Sequence, residues 1–215
     1  MKKTYLVVGL GRFGSAVAER LYELGSEVMA IDVRPELVQR MESRATCAAV
    51  CDARDEDALR ALGVRNYDCA VIAIGSDLAT SVVATLNLKE LGVATVVCKA
   101  QDETQRRALE KIGADRVIIP ERETGIKLAQ SLTSSSILDF IELSPDCGIA
   151  EMQTPADWCG RSIRELDVRS KYGVNIIAVR EDGKVRVTLD ASRPLRADMT
   201  LVLLGDNERL ARVTK

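Results

Sequence analysis

Histidine is missing altogether from this 215-residue chain, and its absence removes a whole group of catalytic mechanisms. Histidine is the usual general base near neutral pH and the commonest metal ligand. A chain without it has no Ser–His–Asp or Cys–His arrangement and no histidine-ligated metal. The composition therefore argues against enzymes that depend on either.

Aromatic residues and an excess of positive charge are lacking as well. Only 3% of the residues are aromatic, and 30 basic residues face 32 acidic ones, which gives a net charge of −2. Nucleic-acid-binding proteins need basic surfaces for phosphates and often aromatic rings on which bases stack. The composition therefore predicts that nucleic acid is not a partner.

Paired cysteines and long apolar segments are also absent. The six cysteines include no C-x-x-C pair, which favours reduced core thiols over disulfides or zinc ligands. No apolar run reaches the ~18 residues of a membrane span. Few apolar residues separate Met1 from the first glycine, too few for a signal peptide. We expect a soluble, cytoplasmic protein.

The most informative segment that is present is a glycine motif near the N-terminus. Gly9, Gly11 and Gly14 follow a short apolar run typical of a buried strand and lead into a segment with helical spacing. In G-x-G-x-x-G the glycines allow a tight turn, close approach to phosphate and close helix packing. Asp32 follows 18 residues after Gly14, where a carboxylate can accept hydrogen bonds from ribose hydroxyls. The pattern predicts a nucleotide site; the alternative is three turn glycines and an aspartate that caps the helix near Pro35.

Strand-like and helical segments alternate up to Pro120. Six segments are predicted as strands: Tyr5–Val8, Glu27–Asp32, Cys47–Cys51, Cys69–Ile74, Thr95–Cys98 and Arg116–Ile119. The alternation indicates an α/β fold with a Rossmann-like, doubly wound parallel sheet. Ligands of such sheets bind beyond the carboxyl ends of the strands. The residues expected there are Gly9, Gly11, Arg12, Phe13, Gly14, Asp32, Asp52, Ile74, Gly75, Lys99 and Glu121.

The pattern changes after a predicted helix at 121–134. The serine-rich stretch 133–136 suggests a hinge, and shorter segments follow, including an Asp182-Gly183 turn typical of a hairpin. They predict a small α+β domain with mixed or antiparallel strands. We therefore expect a nucleotide-binding domain at 1–120, a crossover helix and hinge at 121–136, and a C-terminal regulatory domain at 137–215.

Several short segments carry a more specific signal than the glycine motif, which many dehydrogenases share. They are Ala73-Ile-Gly75, Val97-Cys-Lys-Ala100, Lys111-Ile-Gly-Ala-Asp-Arg-Val-Ile-Ile-Pro-Glu121, Asp167-Val-Arg-Ser-Lys-Tyr-Gly173 and Ala197-Asp198. Together they resemble the cytosolic gating subunits of Ktr/Trk-type potassium transporters, which contain N- and C-terminal RCK (regulator of K⁺ conductance) domains. The resemblance covers essentially the whole chain and is greatest to KtrA-like members.

The resemblance implies a nucleotide in the first domain: ATP or ADP, as in KtrA-like members, or NAD(H), as in some Trk-like ones. Asp32 would hold the adenosine ribose and the glycine loop the phosphates. Arg12 would sense the terminal phosphate, since a guanidinium makes two parallel bonds to phosphate oxygens, and Lys99 would add a second charge. The alternatives are a solvated surface arginine and an ordinary strand-end lysine.

Glu121 matches a position at which KtrA-like proteins help to bind a cation beside the phosphates, near a dimer interface. Mg²⁺ or Ca²⁺ would suit an oxygen-ligated site of this kind. The alternative is a carboxylate that the dipole of a helix N-terminus favours.

In KtrA-like members the second domain resembles a dimeric receptor for cyclic di-AMP. The corresponding residues are Ile163, Arg169, Asn175, Ile176 and Pro194. Arg169 would pair with a phosphate, while Asn175 and Ile176 meet the adenine. The alternative is that these residues form the core of the domain's dimer.

The resemblance thus implies a regulatory subunit without enzymatic activity. It would form dimers that assemble into an octameric ring at the inner face of the cell membrane, beneath a KtrB- or TrkH-like potassium-translocating subunit. One alternative is an NAD-dependent oxidoreductase, which would need acid–base residues that the chain lacks. Another is an NADH-responsive sensor that acts on a different partner.

Overall fold

The computed structural model describes residues 2–75, 77–133, 137–144 and 146–213. The chain forms two compact units, Met1–Arg122 and Glu123–Lys215, which are described separately here. The domain boundaries at 120 and 136 stay a prediction, and residues 134–136 of the expected hinge lie outside the described residues.

A six-stranded parallel sheet forms the centre of the first unit. Its strands are β1 (Thr4–Val8), β2 (Glu27–Asp32), β3 (Cys47–Val50), β4 (Cys69–Ile72), β5 (Thr95–Lys99) and β6 (Arg116–Ile118). They lie in the order β3-β2-β1-β4-β5-β6, and each pairs in parallel with its neighbours. The predicted Rossmann-like fold is confirmed. The strand order reverses between β1 and β4, where such sheets have their ligand crevice.

The sheet is buried on both faces, as its nearly continuous apolar strands predict. Along β1, Leu6 and Val8 pack into the core on one face and Val7 packs into the core on the other. The helices of this part are α1 (Arg12–Glu23), α2 (Pro35–Met41), α3 (Glu56–Ala61), α4 (Leu78–Glu90) and α5 (Glu103–Lys111); α6 (Pro120–Thr133) begins here and continues past Arg122 into the second unit. The alternation of strand and helix thus holds the glycine loop at the carboxyl edge of the sheet.

Aspartates begin three of these helices. Asp55, Asp77 and Asp102 accept hydrogen bonds from the first-turn N–H groups of α3, α4 and α5 respectively. Each side chain satisfies backbone donors that have no partner within the helix. Ser76, whose type and position before α4 would also suit a cap, lies outside the described residues.

Helix α2 stops at Met41, where the chain tightens into a turn in which the Arg44 N–H donates to the Met41 carbonyl. The fourth strand is two residues shorter than the sequence predicts. Strand β4 stops at Ile72 instead of Ile74. The Ala73 N–H still donates to the Val8 carbonyl, at 2.7 Å, and the chain then leaves the sheet. Ile74 and Gly75 therefore belong to a loop at the sheet edge.

The second unit is built on a five-stranded antiparallel sheet. Its strands are β7 (Ile137–Ser144), β8 (Cys147–Gln153), β9 (Asn175–Glu181), β10 (Lys184–Arg186) and β11 (Thr200–Asp206). They lie in the order β10-β9-β11-β8-β7. The helices are α7 (Ile163–Leu166), α8 (Val168–Tyr172) and α9 (Asn207–Val213). The predicted small α+β domain is confirmed, and of the two predicted strand arrangements the antiparallel one is correct.

Helix α8 is missing from the sequence prediction. Asp167 adopts a left-handed conformation, with φ of 46°, and separates α7 from α8. A non-glycine residue rarely takes this conformation, so the break has no strong sequence signal. Helix α8 packs toward the core, where the ring of Tyr172 lies 5.3 Å from that of the buried Trp158.

The described residues contain no helix long and apolar enough to cross a membrane. All six cysteines are free thiols. Cys51 and Cys98 are buried, in line with the core interpretation, whereas Cys47 is exposed at the start of β3.

Candidate functional site

A cavity of about 650 Å³ lies at the carboxyl edge of the parallel sheet. Its lining includes nine of the ten residues predicted to bind a cofactor: Gly9, Gly11, Arg12, Phe13, Asp32, Asp52, Ile74, Gly75 and Lys99. Glu121, the predicted cation ligand, lines it too. The tenth residue, Gly14, is buried behind the loop. Chain topology thus brings together residues that lie up to 112 positions apart in sequence, from Gly9 to Glu121.

The glycines of the loop have different surroundings. A Cβ at Gly14 would lie 1.9 Å from the Gly9 carbonyl oxygen, and a Cβ at Gly9 would lie 2.9 Å from the Cγ1 atom of Ile74. Gly9 also has a φ of +90°, which favours glycine. A Cβ at Gly11 would meet no heavy atom within 4 Å. Gly9 and Gly14 therefore serve loop packing, whereas Gly11 leaves space on the side where a ligand can approach.

Helix α1 begins directly at this loop. Gly11 is its N-terminal cap and, as a glycine, offers no side-chain acceptor to the first N–H groups of the helix. Free N–H groups and the positive end of the helix dipole favour a negatively charged ligand there. The loop can therefore hold phosphate groups through backbone donors.

Asp32 is held firmly at the end of β2 and is only 7% exposed. One carboxylate oxygen, Oδ2, accepts a hydrogen bond from the Leu10 N–H at 2.7 Å. The other, Oδ1, accepts from the Arg34 N–H at 2.9 Å and from Arg34 Nε at 3.3 Å. A carboxylate oxygen has about two acceptor sites, so Oδ2, which accepts one hydrogen bond, retains a site for a ribose hydroxyl. The sequence reasoning missed Arg34, although its position two residues after Asp32 places it at the same strand end.

Asp52 lies on the same side of the cavity and is paired with Arg54. The Arg54 guanidinium donates from Nη2 to Asp52 Oδ2 at 2.6 Å and from Nε to both carboxylate oxygens. These hydrogen bonds lower the pKa of Asp52 below its ordinary value. The amide of Asn87 donates to the carbonyls of Ala53 and Arg54 and fixes the loop that carries the pair. Asp52 is therefore an ionised acceptor.

Lys99 and Glu121 form an ion pair at the opposite side. Lys99 Nζ donates to Glu121 Oε1 at 2.6 Å and lies 5.7 Å from the centre of the Phe13 ring. A Cβ at Gly75 would come within 3.3 Å of Nζ, so this glycine makes room for the lysine. The hydrogen bond from Lys99 lowers the pKa of Glu121, and the charge of Arg12 acts in the same direction.

The predicted cation site is not complete within the protein. In the part of the chain that the structure describes, no three acidic or cysteine side chains lie close enough together to hold a metal ion. Glu121 contributes one carboxylate, which already pairs with Lys99. A divalent cation there would need oxygens from a bound phosphate, so its assignment stays a prediction.

The residues predicted for cyclic di-AMP are partly brought together in the second unit. Ile163, Arg169, Asn175 and Ile176 line a shallow cavity of about 320 Å³. Pro194 lines a different cavity of about 370 Å³, which Ile163 also borders. Pro194 is held there by an isolated β-bridge to Ser162, the residue before Ile163.

Comparison with known families agrees with this division of the chain. The family model of the TrkA-N domain matches residues 5–120, and that of the TrkA-C domain matches residues 149–215. The chain belongs to the TrkA-N/TrkA-C family. The TrkA-N domain carries the parallel sheet and the large cavity, and the TrkA-C domain carries most of the antiparallel sheet. The resemblance predicted from the sequence is confirmed.

Known relatives resemble the chain over its whole length. It is 37% identical to the Ktr system potassium uptake protein C of Bacillus subtilis (strain 168) over 215 residues, which are 100% of this chain and 97% of that protein. It is 38% identical to the Ktr system potassium uptake protein A of the same organism, with coverage of 98% and 95%.

Among solved structures, the GsuK RCK domain has the same fold. Its TM-score is 0.70 at 18% sequence identity, over all of this chain and 47% of that one.

Proposed function

We propose that this chain is a nucleotide-sensing regulatory subunit of a Ktr-type potassium uptake system, without catalytic activity of its own. It would act in the cytoplasm, at the inner face of the membrane, on a KtrB- or TrkH-like potassium-translocating subunit. The observation that carries the proposal is the cavity of the TrkA-N domain, in a chain similar to Ktr uptake proteins from end to end.

The chemistry of the cavity changes along the sheet edge in the order that an adenine nucleotide requires. Asp32 offers carboxylate acceptors at the end of β2, and the free N–H groups of α1 follow beside β1. Arg12 and Lys99 then supply positive charge. A ribose beside Asp32 would therefore place its phosphates on the glycine loop and extend them toward the two cations.

ATP and ADP are the proposed ligands, and their exchange would bias two shapes of the assembled protein. A ligand shifts such an equilibrium only by its difference in affinity for the two states. The third phosphate adds the negative charge on which this difference would depend. A divalent cation held between that phosphate and Glu121 is part of the same proposal.

Competition binding by isothermal titration calorimetry tests the ligand. We expect ATP and ADP to displace one another from one site per chain with different affinities. The competing candidate is NAD(H), which Asp32 would accept equally well through its unmodified 2′-hydroxyl. Tight NADH binding that ATP cannot displace would favour an NADH-responsive regulator, and turnover of NADH with a substrate would favour an oxidoreductase.

Assembly into dimers and an octameric ring is the second part of the proposal. Ile126 and Leu132 of α6, and Leu138 and Ile141 of β7, expose apolar side chains. A second copy of the chain would cover such surfaces. Native mass measurement of the purified protein should give eight copies, and a monomer with and without nucleotide would contradict this assembly.

Cyclic di-AMP is the proposed ligand of the second unit. Arg169, Asn175 and Ile176 on the shallow cavity support it, because they combine a cation, an amide and an apolar contact. Arg169→Ala should abolish cyclic di-AMP binding and leave ATP binding unchanged, since the mutation lies outside the TrkA-N cavity. Equal cyclic di-AMP binding by the variant would contradict the assignment.

A further inference from the structure

The ion pair between Lys99 and Glu121 places opposite charges inside the proposed phosphate site. Lys99 is the last residue of β5, and its side chain is 14% exposed, whereas Glu121 is 67% exposed in the first turn of α6. The Phe13 ring and Gly75 border the ammonium, so that the lysine is held on several sides. A phosphate that enters this part of the cavity must compete with Glu121 for the ammonium.

Lys99 lies far from the expected ribose position along the sheet edge. From β2, which ends in Asp32, the next strands are β1, β4 and β5. Neighbouring strands are about 4.8 Å apart, so β2 and β5 are separated by roughly 14 Å. Phosphates that begin on the loop after β1 therefore approach Lys99 only at the far end of the phosphate chain.

We propose that Lys99 acts beside Arg12 in distinguishing phosphate chains of different length, and that Glu121 occupies the Lys99 ammonium until a phosphate replaces it. The terminal phosphate of a nucleotide would replace Glu121 as the partner of the ammonium. The exchange would leave the Glu121 carboxylate without its partner at the start of α6. The inference rests on the proposed function and adds the means by which the same site recognises a third phosphate.

The ion pair between Lys99 and Glu121 has a consequence for the affinity of ligands. When the competent form of a site is only partly populated, the apparent affinity falls by that fraction. The Glu121 carboxylate reduces the share of Lys99 that is available to phosphate, so it weakens binding of every ligand that reaches the lysine. Ligands too short to reach Lys99 are unaffected. A carboxylate in this position therefore lowers the affinity for ligands that reach Lys99 and narrows the difference in affinity between long and short phosphate chains.

Glu121→Gln in the full-length protein tests the exchange directly. The amide keeps the shape of the side chain and removes its charge. In EDTA, calorimetry should show ATP binding tightened about threefold, the size expected for an ion pair with one exposed partner. The gain should be smaller for ADP and absent for adenosine. Glu23→Gln is the matched control, because it breaks a 2.9 Å ion pair with Arg20 on the exposed surface of α1.

The double variant Lys99→Met/Glu121→Gln shows whether the tighter ATP binding of Glu121→Gln depends on the lysine. Lys99→Met alone should weaken ATP binding and reduce its advantage over ADP, and adding Glu121→Gln should then change nothing. Lys89→Met is the control for removal of a lysine, since Lys89 pairs with Asp115 at 3.0 Å on other elements. Thermal unfolding of each variant confirms that it is folded.

The outcomes separate this inference from the proposed function. If the wild-type protein binds no adenine nucleotide, both are overturned. If it binds ATP but Glu121→Gln leaves the affinity in EDTA unchanged, only the exchange at Lys99 is overturned. Weaker ATP binding by Glu121→Gln in Mg²⁺, with no gain in EDTA, would make Glu121 a cation ligand and likewise overturn the exchange.

Discussion

Gly11 and Gly14 belong to one motif, yet the space around them differs completely. A methyl group at Gly14 would collide with the Gly9 carbonyl oxygen, whereas one at Gly11 would meet no neighbouring atom. The first contact is with backbone and cannot be relieved by a side-chain rotation. Gly14 is thus required for packing of the loop, whereas Gly11 keeps open the space in which a nucleotide is proposed to bind.

Alanine variants should separate these two roles. Gly14→Ala should lower the free energy of unfolding by about 2–3 kcal/mol, the upper part of the range of roughly 1–3 kcal/mol for overpacking a tight site. Gly11→Ala should leave unfolding almost unchanged and weaken nucleotide binding, because its methyl group occupies space beside the phosphates. Urea denaturation and calorimetry measure the two effects. Equal loss of stability in both variants would contradict the assignment.

Arg12 is exposed at the first position of α1 and borders the cavity. Arg12→Ala should reduce the affinity for ATP more than that for ADP, so that the ratio of the two dissociation constants moves toward one. Arg20→Ala, which removes an exposed arginine from the same helix, is the matched control. An unchanged ratio in Arg12→Ala would show that other groups detect the third phosphate.

The sequence indicates which residues reach the sheet edge, but not how their charges pair. Lys99 and Glu121 are 22 positions apart, and their 2.6 Å contact depends on the adjacency of β5 and β6. The Asp52–Arg54 pair depends on a turn conformation of the intervening residues. Spacing predicts that these groups converge, whereas the hydrogen-bond partners require the folded backbone.

At the scale of elements, helix caps follow from local features of the sequence. Asp102 accepts hydrogen bonds from the N–H groups of Thr104 and Gln105 at the start of α5. An aspartate directly before an amphipathic segment is a local signal for the start of a helix, so it can be recognised without knowledge of the tertiary fold. Strand ends are less predictable, because β4 stops at Ile72, where the chain turns to line a cavity.

Removal of this cap should have a measurable effect. Asp102→Ala should lower the free energy of unfolding by about 1 kcal/mol, since two first-turn N–H groups lose their acceptor. Glu103→Ala, on the next residue, removes an exposed charge that pairs with Arg106 and should cost less. Urea denaturation of the full chain compares them. A larger loss in Glu103→Ala would contradict the capping role.

At the scale of the whole molecule, hydrogen-bonded carboxylates determine how the stability of the fold falls at acid pH. Hydrogen bonds from the Val96 N–H, the Ser162 N–H and the Arg193 side chain lower the pKa values of Asp115, Glu165 and Glu181 respectively. Their contribution to the free energy of unfolding is complete above the ordinary pKa values of 3.8 and 4.5. It is lost as the pH falls through the lower pKa values that these groups have in the folded protein.

Buried thiols limit the stability of the fold at alkaline pH. Burial raises the pKa values of Cys51, Cys69 and Cys98 above the ordinary value of 9.0. Stability is therefore lost only as the pH rises above about 9. With no histidine in the chain, the urea midpoint should stay level between about pH 5 and pH 8. A step near pH 6.5 would contradict this expectation.

Helix α6 starts one residue before Glu121 and runs without interruption to Thr133, past the point where the first compact unit ends. Its 14 residues span roughly 21 Å at 1.5 Å per residue. A tilt of about 10° in its first turn would carry its far end through nearly 4 Å, by simple geometry on that length. The proposed replacement of Glu121 by a phosphate as the acceptor of the Lys99 ammonium would therefore act at the start of a long helix, where a small change of angle becomes a displacement of several ångströms.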